Sequence, residues 1–252
     1  MKIDVFPVPP IAGNLQATNS AAIVIDVLRA ASSICTALAN GCREIIPVAE
    51  PDEAFRMVEN FPRPLVLLAG EREGKRINGF DLGNSPKEFQ PDVVTGKTII
   101  MTTTNGTRAL LWAQDADLVL ILSLLNLRSV ANFLAATDKD ITIICSGQDG
   151  AESLEDTVCA GLLVERLQEL YSEKPELTDQ AQSAMTVAND HKIDLLAMMT
   201  AASHGEHLQK IGFADDLEIC SRVNALDVVP VFQDGVITAM TRRSLRRNRF
   251  TM

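Results

Sequence analysis

The 252-residue chain is poor in aromatic side chains, with one Trp and one Tyr beside nine Phe. Base-stacking platforms need more flat surface than that. It also lacks a cationic surplus. The formal net charge is −10, and five of its 23 cations (Arg242, Arg243, Arg246, Arg247 and Arg249) lie together near the C-terminus, so the rest is more acidic still. Such a surface repels a phosphate backbone, and no nucleic-acid partner is expected. The terminal arginines are expected to pair with the chain's own acids or with those of a second copy, so a homo-oligomer stays open. Long apolar runs are missing too. The longest, near residues 118–127, contains Ser123 and Asn126 and falls short of the about 20 residues that a membrane span needs. The opening MKIDVFPVPP sets Asp4 and three prolines where a signal peptide carries an unbroken apolar run. Five scattered cysteines form no C-x-x-C pair and lie in or beside apolar segments. Buried free thiols in a cytoplasmic protein without a membrane partner are the expectation.

Several familiar catalytic signatures are also absent. There is no G-x-x-x-x-G-K-[ST], and no G-x-G-x-x-G follows a strand. Asp26 is followed two places on by Leu28, which excludes the paired-aspartate nucleophile of haloacid dehalogenases. No Cys has an Arg six positions downstream, so the tyrosine-phosphatase loop is excluded. His204 and His207 lie one helical turn apart but lack the Glu and partner spacing of zinc helices, and are read as non-ligands.

What is present is ordinary globular composition, 46% hydrophobic and 22% charged, which fits a folded domain rather than a disordered chain. Short β-branched runs at 22–27, 44–49, 65–69, 97–102, 117–123, 140–145 and 227–232 predict strands, with a weaker one at 236–240 read as an antiparallel edge. Helical patterns follow at 30–40, closed by Gly41, at 51–60, opened by Pro51, and from Asn105 onward. Strands alternating with helices predict an α/β, three-layer α/β/α fold on a largely parallel or mixed sheet. One compact domain over 1–252 is expected, with the polar span 172–190 as a surface excursion or subdomain joint.

Ligands of open α/β sheets bind beyond the carboxyl ends of the strands, and four such ends carry unusual polar groups. IVIDVLRAASS delivers Asp26, Arg29, Ser32 and Ser33. The long loop 70–91 crowds Glu71, Arg72, Glu73, Lys75, Arg76 and Asp81 between glycines, a length more typical of working loops than of connectors. TIIMTTTNGTRALL brings Thr102 to Thr107 to a helix start, where open N–H groups can take an anion. IICSGQDGAESLEDTVCAG places Asp149, Glu152, Glu155 and Asp156 after a strand. Each also has a plain reading as a helix cap, a first-turn acid or a solvated loop. Together they put anion donors and hard carboxylates on one sheet edge. Without nearby His or Cys, such carboxylates favour Mg²⁺, with Mn²⁺ as a substitute.

The segments IDVLRAASSICTALANG (25–41), GEREGKRINGFDLGNSP (70–86), TTTNGT (102–107), LEDTVCAG (154–161) and SHGEHLQKIGFADDLEIC (203–220) resemble the magnesium-dependent 2-phosphosulfolactate phosphatases of coenzyme M biosynthesis. Ala31 stands where that pattern leads one to expect Thr. The resemblance implies a cytoplasmic, Mg²⁺-dependent phosphatase acting on 2-phosphosulfolactate or a related 2-hydroxyacid phosphate. The residues expected to carry catalysis are Asp26, Arg29, Glu71 and Asn105. Substrate contacts are expected from Arg29, Ser32, Arg72, Asn84, Ser85, Thr103, Thr104, Asn105 and Gly106, and metal contacts from Asp26, Asp81, Glu155 and Asp156. Two mechanisms stay open: metal-assisted attack by water, and an aspartyl phosphate on Asp26. So does a non-catalytic anion-binding or regulatory module.

Overall fold

A computed structural model describes residues 1–10 and 19–240. The arginine cluster from Arg242 onward lies outside the described residues. The first half of the chain forms β1 (Lys2–Phe6), β2 (Ser20–Ile25), α1 (Ala30–Ala39), β3 (Glu44–Pro47), α2 (Pro51–Val58), β4 (Val66–Arg72), β5 (Lys75–Arg76), α3 (Pro91–Val94), β6 (Thr98–Thr102) and α4 (Gly106–Ala113). The second half forms β7 (Leu118–Leu122), α5 (Leu127–Leu134), β8 (Asp140–Cys145), α6 (Leu154–Leu170), β9 (Glu176–Leu177), α7 (Asp179–His191), α8 (Leu195–Ala201), α9 (Ser203–Lys210), α10 (Ala214–Cys220), β10 (Pro230–Gln233) and β11 (Val236–Ala239).

The strands form one mixed, mostly parallel sheet in the order β5-β4-β6-β3-β11-β10-β7-β2-β8-β1-β9. β2 is buried at every position, because helices cover both of its faces. Ala21, Ile23 and Ile25 pack with α5, α6 and α7, whereas Ala22 and Val24 pack with α1 and α4. This two-residue alternation with both faces apolar explains the unbroken hydrophobic strands. Gly41 closes α1 at φ 87°, and Pro51 opens α2, both as the pattern predicts.

Four expectations are corrected. Residues 2–6, unassigned from sequence, form β1, paired in parallel with β8. The polar span 172–190 is no excursion: it holds β9 and most of α7, whose Ala181, Ala184 and Ala188 are buried. α7 lies so close to α6 that a Cβ on Gly161 would sit 2.1 Å from the Ala184 carbonyl oxygen; small residues on both helices permit that approach. β11 is no edge, since it lies between β10 and β3. The strand expected at 227–232 begins at Pro230, because Asp227 instead accepts a hydrogen bond from Ser129 Oγ at 2.9 Å.

The position of β11 also alters the sheet-edge picture. The contacts β3/β11, β11/β10 and β10/β7 are all antiparallel, so the parallel block β4-β6-β3 runs opposite to β7-β2-β8-β1. The carboxyl ends of β2 and β6 therefore do not share one straight edge. They meet because both blocks pack on the same two helices: Val24, Ile121, Ile45, Ile99 and Met101 join residues of α1 and α4 in one core cluster.

Candidate active site

The turns after β2, β4, β6 and β8, together with α9, surround one solvent-connected pocket of about 270 Å³. Seven of the residues expected from the sequence to carry catalysis or bind substrate line it: Asp26, Arg29, Glu71, Asn84, Thr103, Thr104 and Asn105. Glu73, Gln148, Asp149, His204 and His207 complete the polar wall.

Asp26 lies in the turn between β2 and α1. Its Oδ1 accepts the Ala30 N–H at 3.0 Å. Its Oδ2 lies toward Gly106, where an added Cβ would come within 2.9 Å of it; the absence of a side chain at the start of α4 lets the two turns touch. Behind Asp26 is an apolar cavity whose walls include Val24, Ile34, Met101, Leu110 and Ile121. Burial in this surrounding pushes the Asp26 carboxyl up to about 6, against the opposing pull of the Ala30 N–H and the His204 charge, and the charges of Glu71 and Glu155 push it further.

Asp156, in the first turn of α6, accepts the Val27 N–H at 2.8 Å and the Gly147 N–H at 3.2 Å. It ties the turn after β2 to the turn after β8. Burial first, and then the charges of Asp26 and Glu155, hold its carboxyl well above the usual range. Glu155 is buried, and its Oε1 is 3.1 Å from His204 Nδ1.

On the opposite wall, Glu71 accepts the Thr104 N–H at 2.9 Å and the Gly74 N–H at 2.8 Å. One amide of the expected anion turn is therefore already taken by a carboxylate. Asn105 caps α4 without a side-chain capping hydrogen bond, so the plain cap reading fails, and in the first turn the Arg108 N–H is taken by the Asn105 carbonyl at 3.1 Å. β4 and β5 form a hairpin turning at Glu73 and Gly74, at φ 53° and 77°, as a two-residue turn requires. The charged loop is thus partly a β-hairpin.

Arg29 is no surface residue; it is 3% exposed. Its Nη1 donates to Asp216 Oδ2 at 2.8 Å and its Nη2 to the Gly74 carbonyl at 2.6 Å, with the guanidinium carbon 4.2 Å from the centre of the Phe213 ring.

Other expected site residues are elsewhere. Ser32 Oγ donates to the Val27 carbonyl inside α1. Ser85 lies one layer behind the pocket, donating to Asp216 Oδ1 at 2.6 Å. Arg72 turns away, donating to the carbonyls of Glu71 and Ala49 and to Thr102 Oγ1. Asp81 is absent from the pocket wall and pairs with Arg63 at 3.2 Å while accepting the Leu68 N–H at 2.8 Å; as a metal ligand it is displaced by that structural role. Asp156, with both oxygens on backbone N–H groups, acts as a strut.

Sequence reasoning set aside His204 and His207 and passed over Phe213 and Asp216. The stretch 203–220 stands out in the sequence only as a resembling segment, yet it supplies four residues at or behind the pocket. All five cysteines are free and buried, and among the described residues no helix is long and apolar enough to cross a membrane.

The family model for 2-phosphosulpholactate phosphatase matches residues 10–235. Three relatives, each named probable 2-phosphosulfolactate phosphatase, are 40% identical to this chain. That of Caldanaerobacter subterraneus subsp. tengcongensis aligns over 85% of this chain and 88% of its own length. That of Clostridium novyi aligns over 94% and 100%, and that of Carboxydothermus hydrogenoformans over 98% and 100%. With matches of this extent, the chain belongs to the 2-phosphosulpholactate phosphatase family.

Proposed function

We propose that this protein is a Mg²⁺-dependent phosphatase that hydrolyses 2-phosphosulfolactate, or a related 2-hydroxyacid phosphate, to the hydroxy acid and phosphate in the cytoplasm. The observation that carries the reading is the charge of the pocket wall. Asp26, Glu71, Glu73 and Asp149 stand against one guanidinium, that of Arg29. Such a wall repels a bare phosphate ester, and a divalent cation resolves the conflict. The same imbalance argues against a simple anion-binding module.

The donors fit a hard cation. They are carboxylates, and burial, with the like charges of Glu71 and Glu155, holds Asp26 above the usual range. Among the described residues no three His, Cys, Asp or Glu side chains form a ready cage, which suits Mg²⁺, since it commonly takes one or two carboxylates and fills its other positions with water and substrate oxygens. Asp26 and Glu155 would hold it. When bound, the ion neutralises charge on the phosphoryl oxygens. Arg29 and Asn105, both on the pocket wall, bind and orient the phosphoryl group, and their contribution grows as charge spreads over its oxygens. In the net reaction the oxygen of water bonds to phosphorus as the phosphorus–ester oxygen bond breaks, and one proton of that water ends on the leaving alkoxide, which gives the 2-hydroxyl and inorganic phosphate.

Phosphate release from a panel of 2-hydroxyacid phosphates, with and without chelator, tests this reading. Release that is lost in chelator and restored by Mg²⁺ is expected. Release indifferent to chelator removes the ion, and no release from any panel member removes the hydrolase reading. Transfer of phosphate to added alcohols, with an acid-stable label lost in Asp26→Asn, would favour the aspartyl-phosphate route over direct attack by water.

A further inference from the structure

We infer that Asp216 on α10 is a positioning residue that acts through Arg29, with Ser85 and Phe213 completing the clamp; this rests on the hydrolase reading above. Asp216 is 1% exposed and 187 residues from Arg29 in sequence. A buried carboxylate needs compensation on both oxygens, and here one takes the Arg29 guanidinium and the other the Ser85 hydroxyl. The Gly74 carbonyl takes the second terminal nitrogen of Arg29, and the Phe213 ring lies against the guanidinium at 4.2 Å.

Two separate elements, α10 with Phe213 just ahead of it and the β4–β5 turn, thus converge on the Arg29 side chain, while Ser85, in the stretch ahead of α3, holds Asp216 from behind. The consequence is chemical. Arg29 has five N–H donors. Two are committed to Asp216 and Gly74, and the others belong to a plane that these contacts prevent from turning. An arginine held this way presents its remaining donors without first losing rotamer freedom, which is the condition for preorganised binding of a phosphoryl oxygen. Asp216 also matches the guanidinium charge, so Arg29 contributes through fixed direction more than through surplus positive charge. A mobile arginine would supply the charge without the direction.

A double-mutant cycle in the full chain tests this. Arg29→Gln should lower kcat about 10²-fold, the scale of losing a transition-state donor. Asp216→Asn should lower kcat about tenfold, as loss of a supporting partner does, with a smaller change in KM. If Asp216 acts through Arg29, the double variant should be no slower than Arg29→Gln alone. Multiplying losses would overturn the inference, because a general structural role predicts independent effects. Should Asp216→Asn fail to fold, Ser85→Ala, which loosens Asp216 only from behind, takes its place with a loss of about threefold; unchanged kcat there would equally overturn it. Inorganic phosphate titrated calorimetrically into the same proteins keeps the two readings apart. Wild-type protein that binds phosphate but turns over no substrate sinks the hydrolase reading and leaves the same non-additivity to be read in Kd. Additive losses in Kd would sink the clamp.

Discussion

The loop at 70–86 and the helical segment at 203–220 border the same pocket from different sides, and they differ in how openly their sequences declare it. The loop carries a dense run of charge, yet most of it points elsewhere: Arg72 holds carbonyls of neighbouring strands, and Asp81 pairs with Arg63 and caps a strand N–H. From that run only Glu71 and Glu73 reach the pocket wall, joined later in the loop by Asn84. The helical segment is singled out in the sequence by its resemblance alone, yet it supplies His204 and His207 to the wall and Phe213 and Asp216 to the buried support of Arg29. Charge density along a chain reports what can be solvated. Function here depends on which charges the fold desolvates, and that is set by partners far away in sequence.

The largest expected effect removes the carboxylate that both regions surround. Asp26→Asn should lower kcat on the order of 10³-fold, as loss of a central catalytic group does. It should also stabilise the chelator-treated protein at neutral pH. The folded-state value of about 6 lies above the ordinary 3.8, so the native state holds its proton longer than the unfolded chain does. That contribution favours folding below about pH 4 and is lost as pH rises through 6; above pH 6 the penalty is constant, about 1.4 kcal/mol for each unit by which the folded value exceeds the ordinary one. Asn cannot ionise and can still accept the Ala30 N–H. A Tm at pH 7 no higher than wild type, measured in chelator, would contradict the assigned burial.

His204→Ala sharpens the comparison from the helical side. Its imidazole is hydrogen-bonded to buried Glu155, and removing it should reduce kcat/KM on the order of tenfold, more at low Mg²⁺ than at saturation if Glu155 helps to hold the ion. An activity and Mg²⁺ dependence equal to wild type would return α9 to a purely structural role. The smallest effects belong to the conspicuous loop. Arg72→Ala and Asp81→Asn should change kcat by less than about twofold and lower stability by about 1 kcal/mol or less, since their ion pairs are largely exposed. A hundredfold loss of activity in either would break the contrast between the two regions.

Legible along the chain are the alternation of strands and helices, the burial of both faces of β2, the end of α1 at Gly41 and the grouping of Asp26, Arg29, Glu71 and Thr103 to Asn105 at strand ends. Each depends on periodicity, on a cap or on a short motif, and these act over a few residues. The sequence could not reveal β1, whose five residues become a strand by pairing with β8, nor the inner position of β11, nor α7, whose apolar stripe is made of alanines that look neutral until α6 is packed against them. Only the tertiary structure decided that Asp81 and Arg72 face away, that Glu71 occupies the Thr104 amide and that Asp216 holds Arg29. The reason is that burial and hydrogen-bond partnership are properties of pairs, and here the pairs lie from one to 187 residues apart. No local pattern of residues encodes a partner at the longer of those distances.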